Sequence, residues 1–89
     1  MIRILFVCLG NICRSPAAEG VFRAKARERG IKTYIESAGT GAWHVDSPPD
    51  ARMITAAKKR GYDLSQQRAR KVDQADFFEF DYILSLIHI

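Results

Sequence analysis

The stretch Val7-Cys8-Leu9-Gly10-Asn11-Ile12-Cys13-Arg14-Ser15-Pro16 decides how this chain is read. It follows an apolar run, Ile2 to Val7, and opens onto a helical pattern beginning at Pro16. A strand feeding a tight loop at a helix N-terminus gathers unpaired backbone N–H groups, and those attract an anion. Cys8 and Arg14 stand at the two ends of the loop, with Ser15 directly after. If the loop curls around one phosphoryl group, Cys8 lies beneath the phosphorus. The loop amides, from Leu9, Gly10, Asn11, Ile12 and Cys13 to Ser15, then face its oxygens, and Arg14 clamps two of them with its planar fork. That is the geometry of a thiolate displacing a phosphate ester.

The chemistry asks for these residue types. A free thiol titrates near ~8.5, and a helix N-terminus with an arginine beside it lowers that value by several units. Ser15 is placed to donate a hydrogen bond to the sulfur. Gly10 allows close backbone approach, and Asn11 tolerates the left-handed conformation that such a loop needs. Pro16 lacks an N–H and suits the first helical position. A lone cysteine closing a strand is more often a small buried hydrophobe. Cys-x5-Arg alone is loose, but the whole string between a strand and a helix is specific. A Walker loop is excluded, because Gly-Lys-Ser/Thr is missing. A zinc site needs four suitably spaced ligands, and only Cys8, Cys13, His44 and His88 are on offer.

The string resembles the signature loop of the low-molecular-weight protein tyrosine phosphatases. The likeness continues through Glu36-Ser37-Ala38-Gly39-Thr40, Trp43, Pro48-Pro49-Asp50, Arg68-Ala69-Arg70 and Phe80-Asp81-Tyr82-Ile83-Leu84. It implies that Cys8 is the nucleophile and Arg14 the phosphate clamp, while Asn11 and Ser15 organise the loop. It also implies a phosphatase-I-like, Rossmann-like three-layer fold. In related sequences the position of Gln67 is commonly a histidine that braces the loop, and Gln67 keeps the capacity to hydrogen-bond there.

With 89 residues and 47% hydrophobic content the chain makes one small globular domain. The net charge of +4 is mild. Its basic residues, Arg23, Lys25, Arg27, Lys58, Lys59 and Arg60, fall on helix faces without interleaved aromatics. They read as solvated surface rather than a nucleic-acid patch. Two cysteines in one loop are no disulfide framework of the secreted kind. The N-terminal apolar run is accounted for as a buried strand, and no stretch reaches membrane-spanning length. The expectation is a cytoplasmic protein without nucleic-acid or membrane partners.

In order, the chain reads as strand, loop, helix, strand, loop, helix, strand. Ile2 to Val7 is a continuous β-prone run, as in a parallel strand covered on both faces. Ser15 is expected to N-cap a helix running to about Arg29, with Gly30 as its stop. Ala18, Val21 and Phe22 form its apolar stripe, with its Arg and Lys residues facing out. Thr33 to Ala38 is the second strand. Ser47-Pro48-Pro49-Asp50 reads as a capping box for a second helix that buries Met53, Ile54 and Ala57. Asp73 to Phe78 reads as one helical turn capped by Asp73, and Phe80 to Leu84 as the third strand. The result is an α/β fold, a parallel sheet with helices on both faces and the site at the carboxyl ends of the strands.

Outside the main loop, Trp43 reads as an aromatic wall for a phenyl phosphate, an assignment that the resemblance favours over a loop anchor. Cys13 is close enough to Cys8 in sequence for a protective disulfide if the loop geometry permits it. His44 reads as a solvent-facing loop residue. Residues 1–84 are the front part of a single phosphatase-type domain by this resemblance, and the chain leaves the family pattern near its end. The family continues with further helices, a strand and an Asp-Pro loop whose aspartate is the general acid. Among the remaining carboxylates, Asp46, Asp50 and Asp81 lie in no such motif. Leu84 to Ile89 reads Leu-Ser-Leu-Ile-His-Ile, which CTG-TCT-CTT-ATA-CAC-ATC encodes, a transposase adapter end, so residues 85–89 are expected to be a non-native tail. Ile83, Leu86 and Ile87 are then expected to be poorly buried.

The function expected is hydrolysis of phosphotyrosine protein or an aryl phosphate through a phosphocysteine at Cys8, releasing phosphate ion, without metal or other cofactor. The alternatives are a thioredoxin-coupled arsenate reductase of the same fold, and a non-catalytic fragment that only binds oxyanions.

Overall fold

The computed structural model describes residues 1–11, 14–41 and 43–86. Its elements are β1 (Ile2–Cys8), α1 (Arg14–Glu28), β2 (Thr33–Gly39), α2 (Ala51–Lys59), α3 (Asp76–Glu79) and β3 (Tyr82–Ser85). The three strands form one parallel sheet in the order β2-β1-β3. The central strand, β1, is buried from Ile4 to Cys8 without a break, as a parallel strand covered on both faces must be. Alternation sorts its side chains. Leu5 and Val7 pack with Ala38 and Phe80 on one face, joined by Val72 and Ile83. Ile4 and Phe6 pack with Ile35 on the other, beneath Ala18 of α1 and Leu86. Each Leu, Val, Ile or Phe side chain of these clusters contributes about 1.5–3 kcal/mol when fully buried.

Helix α1 runs from the end of the signature loop and stops at Gly30, whose φ of +66° supplies the left-handed turn. There the Ile31 N–H returns to the Ala26 carbonyl at 2.9 Å. Helix α2 ends likewise at Gly61, with φ of +90°. The isolated bridge between Gly39 and Lys71 fastens the chain after α2 to the end of β2, through Gly39 N–H to the Arg70 carbonyl and Val72 N–H to the Gly39 carbonyl, both 2.8 Å.

Several local expectations are corrected. Ser15 does not cap α1, because the helix already includes Arg14 and Ser15 sits inside its first turn. Ser47 does not open α2; Asp50 is the cap, accepting from the N–H groups of Arg52 at 3.1 Å and Met53 at 3.3 Å. Pro48 and Pro49 explain the delay, since a residue preceding proline is kept out of the helical region. Asp73 does not cap α3. Its own N–H donates to the Asp76 carboxylate at 2.7 Å. Met53 and Ile54 are half-buried, and Ala57 is the buried residue of α2. The third strand starts two residues later than expected, because Phe80 turns into the core and donates its N–H to the Asp76 carbonyl. Ile83 and Leu86 are half-buried and packed on the two core clusters, whereas Phe77, Phe78 and Tyr82 are the exposed aromatics of this region. Ile87 lies outside the described residues. Among those residues no helix is long and apolar enough to cross a membrane.

Candidate active site

The strand β1 delivers Cys8 to the carboxyl edge of the sheet, and α1 starts six residues later. The sulfur is buried. It lies 2.9 Å from Ser15 Oγ and receives the Asn11 N–H at 3.2 Å. Burial alone would push the thiol up, but the Ser15 hydroxyl and the N–H groups of Ser15, Asn11 and Gly10 outweigh it. The net effect holds Cys8 below its ordinary value, which is what a thiolate nucleophile requires.

The loop keeps its shape through contacts with β2. Asn11 adopts φ of +59°, the left-handed conformation expected of it. Its side-chain NH2 donates to Ser15 Oγ at 3.3 Å and to Ser37 Oγ at 3.0 Å. Thr40 N–H donates to the Cys8 carbonyl at 3.0 Å, and Gly41 N–H to the Leu9 carbonyl at 2.9 Å. Between these bonds the loop passes so close to Gly39 that a Cβ there would stand 3.0 Å from the Leu9 oxygen and 3.1 Å from the Gly10 carbonyl carbon. Gln67 braces from behind, its Nε2 donating to the Pro16 carbonyl at 3.0 Å.

Arg14 is exposed at the first residue of α1, and its Nη1 donates to the Leu86 carbonyl at 3.1 Å. Leu86 is anchored in turn by its N–H to the Val7 carbonyl at 2.7 Å, so the chain leaving β3 holds the guanidinium beside β1. Leu9 is exposed and Gly10 half-buried. Trp43 is 72% exposed, and its ring lies against Gly41, the residue bonded to Leu9. An exposed aromatic thus stands next to the loop. Ile12 and Cys13, with the Cys8–Cys13 disulfide, lie outside the described residues. His44 is half-buried rather than solvent-facing. Asp50 is spent on its helix cap, and Asp81 accepts the Arg3 N–H at 2.8 Å. Asp46 is exposed at a left-handed turn position.

Three residues that the sequence reading left without a role in the site join it. Ser37 Oγ donates to Glu19 at 2.6 Å, and Arg23 pairs with Glu19 at 2.5 Å while also donating to the Ile35 carbonyl at 2.6 Å. Arg23 therefore does not simply face solvent. The signal was the helical spacing: Glu19 is four residues after Ser15, on the same face of α1.

Comparison with known proteins agrees with this fold. The family model described as low molecular weight phosphotyrosine protein phosphatase matches residues 3–88. The Schizosaccharomyces pombe low molecular weight phosphotyrosine protein phosphatase is 49% identical over 88 residues, 96% of this chain and 56% of its own. The crystal structure of YfkJ from Bacillus subtilis superposes with a TM-score of 0.95 at 42% identity, covering 99% of this chain and 57% of that one. A protein tyrosine phosphatase from Entamoeba histolytica, crystallised with Hepes in its active site, gives a TM-score of 0.93 at 42% identity, covering 97% and 56%. The chain thus spans little more than half the length of these relatives. With a shared fold over nearly all its residues, the chain belongs to the low molecular weight phosphotyrosine protein phosphatase family.

Proposed function

We propose that this chain carries the nucleophilic half of a cytoplasmic phosphatase that hydrolyses phosphotyrosine protein or related aryl phosphates through a phosphocysteine. The observation that carries the reading is the sulfur of Cys8, buried, bonded to Ser15 and the Asn11 N–H, in a loop that β2 holds in place. The Cys8 thiolate attacks phosphorus as the bond to the phenolic oxygen breaks, and the electron pair leaves with the phenolate. Water then attacks the phosphocysteine, the S–P bond breaks, and phosphate ion and the thiolate are released. The hydrogen bond from Ser15 favours the sulfur as leaving group in that second step. Charge on the equatorial oxygens is met by the loop N–H groups that do not bond the sulfur and by the Arg14 fork, with no metal in the scheme. Trp43 flanks the ring of the substrate. By the family resemblance the proton for the phenolate would come from an Asp-Pro aspartate, a pair this sequence does not contain, and such a general acid is typically worth ~10² to 10⁴ in rate.

The test is Cys8→Ser in the intact protein. Turnover of an aryl phosphate is expected to vanish while phosphate or vanadate binding persists. A rate within tenfold of the parent would overturn the mechanism. Supplied with arsenate, thioredoxin and its reductant, the parent is expected to consume no reductant above background. Consumption without aryl phosphate hydrolysis would favour arsenate reduction instead.

A further inference from the structure

Behind the signature loop a line of hydrogen bonds runs from Cys8 across β2 to α1, and its direction is set at the end farthest from the sulfur. Glu19 and Ser37 are 8% and 7% exposed. Glu19 is paired with Arg23 at 2.5 Å, so its carboxylate offers only acceptor oxygens, and Oε1 takes the Ser37 hydroxyl hydrogen at 2.6 Å. A serine has a single hydroxyl hydrogen. With that hydrogen committed to Glu19, Ser37 Oγ can only accept from Asn11, which must turn its NH2 rather than its carbonyl oxygen toward β2. The NH2 reaches Ser37 Oγ at 3.0 Å and Ser15 Oγ at 3.3 Å. Ser15 Oγ is then also an acceptor toward Asn11, and its one hydrogen is left for Cys8 Sγ at 2.9 Å. Glu19, by taking the Ser37 hydrogen, is the group that sets this orientation of the Asn11 amide.

We propose that Glu19 and Arg23 are positioning residues for the nucleophile, polarising the Ser37–Asn11–Ser15 relay so that the Ser15 hydroxyl donates to Cys8. The inference rests on the phosphatase reading of Cys8. Neither residue touches substrate. Arg23 also donates to the Ile35 carbonyl of β2 at 2.6 Å, which keeps its guanidinium over Glu19. Both residues of the pair line an open polar cleft of about 300 Å³, with Ser37, Tyr34, Glu36 and Arg70. With 43% of its side chain exposed against 10% for Glu19, Arg23 is the replaceable member of the pair.

The discriminating variant is Glu19→Gln, which keeps shape but offers one acceptor and one donor. Arg23 still demands an acceptor, so the introduced amide gives its oxygen to Arg23 and its NH2 to Ser37. The Ser37 hydrogen then turns to Asn11, the Asn11 amide turns over, and Ser15 donates to Asn11 instead of Cys8. Adding Arg23→Met frees the amide oxygen to return to Ser37, which restores the original direction.

The readout is alkylation of Cys8 by iodoacetamide against pH in the intact protein, located by fragment-ion mass spectrometry, beside aryl phosphate turnover. Glu19→Gln is expected to slow alkylation near pH 6 by about tenfold, the effect of one unit in thiol acidity. The double variant is expected to recover most of that loss. Ser37→Ala, a smaller change that removes the relay without touching the ion pair, is expected to reproduce the slowing. An unchanged profile in either Glu19→Gln or Ser37→Ala would overturn the proposal. So would a double variant slower than Glu19→Gln, the additive loss that a merely structural pair gives. Absence of aryl phosphate hydrolysis in a parent with this alkylation pattern would remove the phosphatase reading and leave the relay standing. Normal turnover with an unmoved profile in the variants would do the reverse.

Discussion

Replacing Gly39 by alanine places one methyl group where the signature loop crosses β2. The backbone of Gly39 lies at the end of β2 with no positive φ, so alanine meets no conformational penalty of its own. The whole effect is steric. The new carbon would stand 3.0 Å from the Leu9 oxygen, 3.1 Å from the Gly10 carbonyl carbon and 3.2 Å from Asn11 Cβ. None of these can step aside freely. The Leu9 oxygen accepts from Gly41 at 2.9 Å, and Asn11 is tied to Ser37 at 3.0 Å. Gly39 is pinned as well, by its bonds to Arg70 and Val72. Relief therefore moves the loop off the sheet by a few tenths of an ångström and stretches the bonds that orient Cys8. Overpacking of this kind costs about 1–3 kcal/mol of stability. The catalytic loss should be of the same order, because a misplacement approaching 1 Å can cost roughly 10²-fold in rate. We expect Gly39→Ala to weaken oxyanion binding and reduce aryl phosphate turnover by about tenfold or more. Gly61→Ala is the control. It has open space around the new carbon but a φ of +90°, so it should cost about 1–2 kcal/mol of backbone strain and leave the loop untouched. Urea unfolding and phosphate titration of both variants make the comparison. Parent-like oxyanion affinity and turnover in Gly39→Ala would refute the reasoning.

Ser15→Ala removes the hydroxyl donor to the sulfur, and a hydrogen bond to a charged group is worth about 1.5–3 kcal/mol. The thiolate fraction of Cys8 should fall by roughly 10- to 150-fold where the thiol form dominates, so iodoacetamide alkylation should move to higher pH. Superimposable profiles would count against the bond. Arg14→Lys keeps the charge and loses the fork, and turnover should drop by roughly 10²–10³-fold, as for removal of an oxyanion donor; a rate near the parent's would show that a point charge suffices. Asp76 is buried, yet Arg70, donating to both of its oxygens at 3.0 Å, and the Asp73 N–H hold its carboxyl below the usual range. A depressed carboxyl contributes stability above its unfolded value of about 3.9 and loses it as pH falls through the folded value. Asp76→Asn should cost about 2–3 kcal/mol at neutral pH, discounted because Arg70 is one-third exposed, and should flatten the acid limb of the unfolding curve. An unchanged acid limb would dismiss the pair as its source.

The division between sequence and tertiary structure follows the distance over which each contact acts. Cys8, Gly10, Asn11, Arg14 and Ser15 were legible as one loop because the string between β1 and α1 is local: Ser15 meets Cys8 over seven positions, and Asn11 takes φ of +59°. The strands were legible because β1, buried on both faces, leaves an unbroken apolar run, and Gly30 was legible as a helix stop because glycine takes its positive φ without strain. Caps were misread where a neighbour changed the local choice, as Pro48 and Pro49 pushed the start of α2 from Ser47 to Asp50. The apolar stripe of α1 misled for a deeper reason. Its buried residues are Ser15, Pro16, Glu19 and Ala26, and two of those are polar groups whose partners lie on another element. Ser37 is 18 residues from Glu19 and 26 from Asn11. A carboxylate on a helix is outward-facing by default, and it goes inward only where a hydroxyl and a guanidinium arrive to satisfy it. The sequence therefore determines the loop and the places of Cys8 and Arg14 in it, while only the docking of α1 against β2 brings Glu19 and Ser37 together behind that loop.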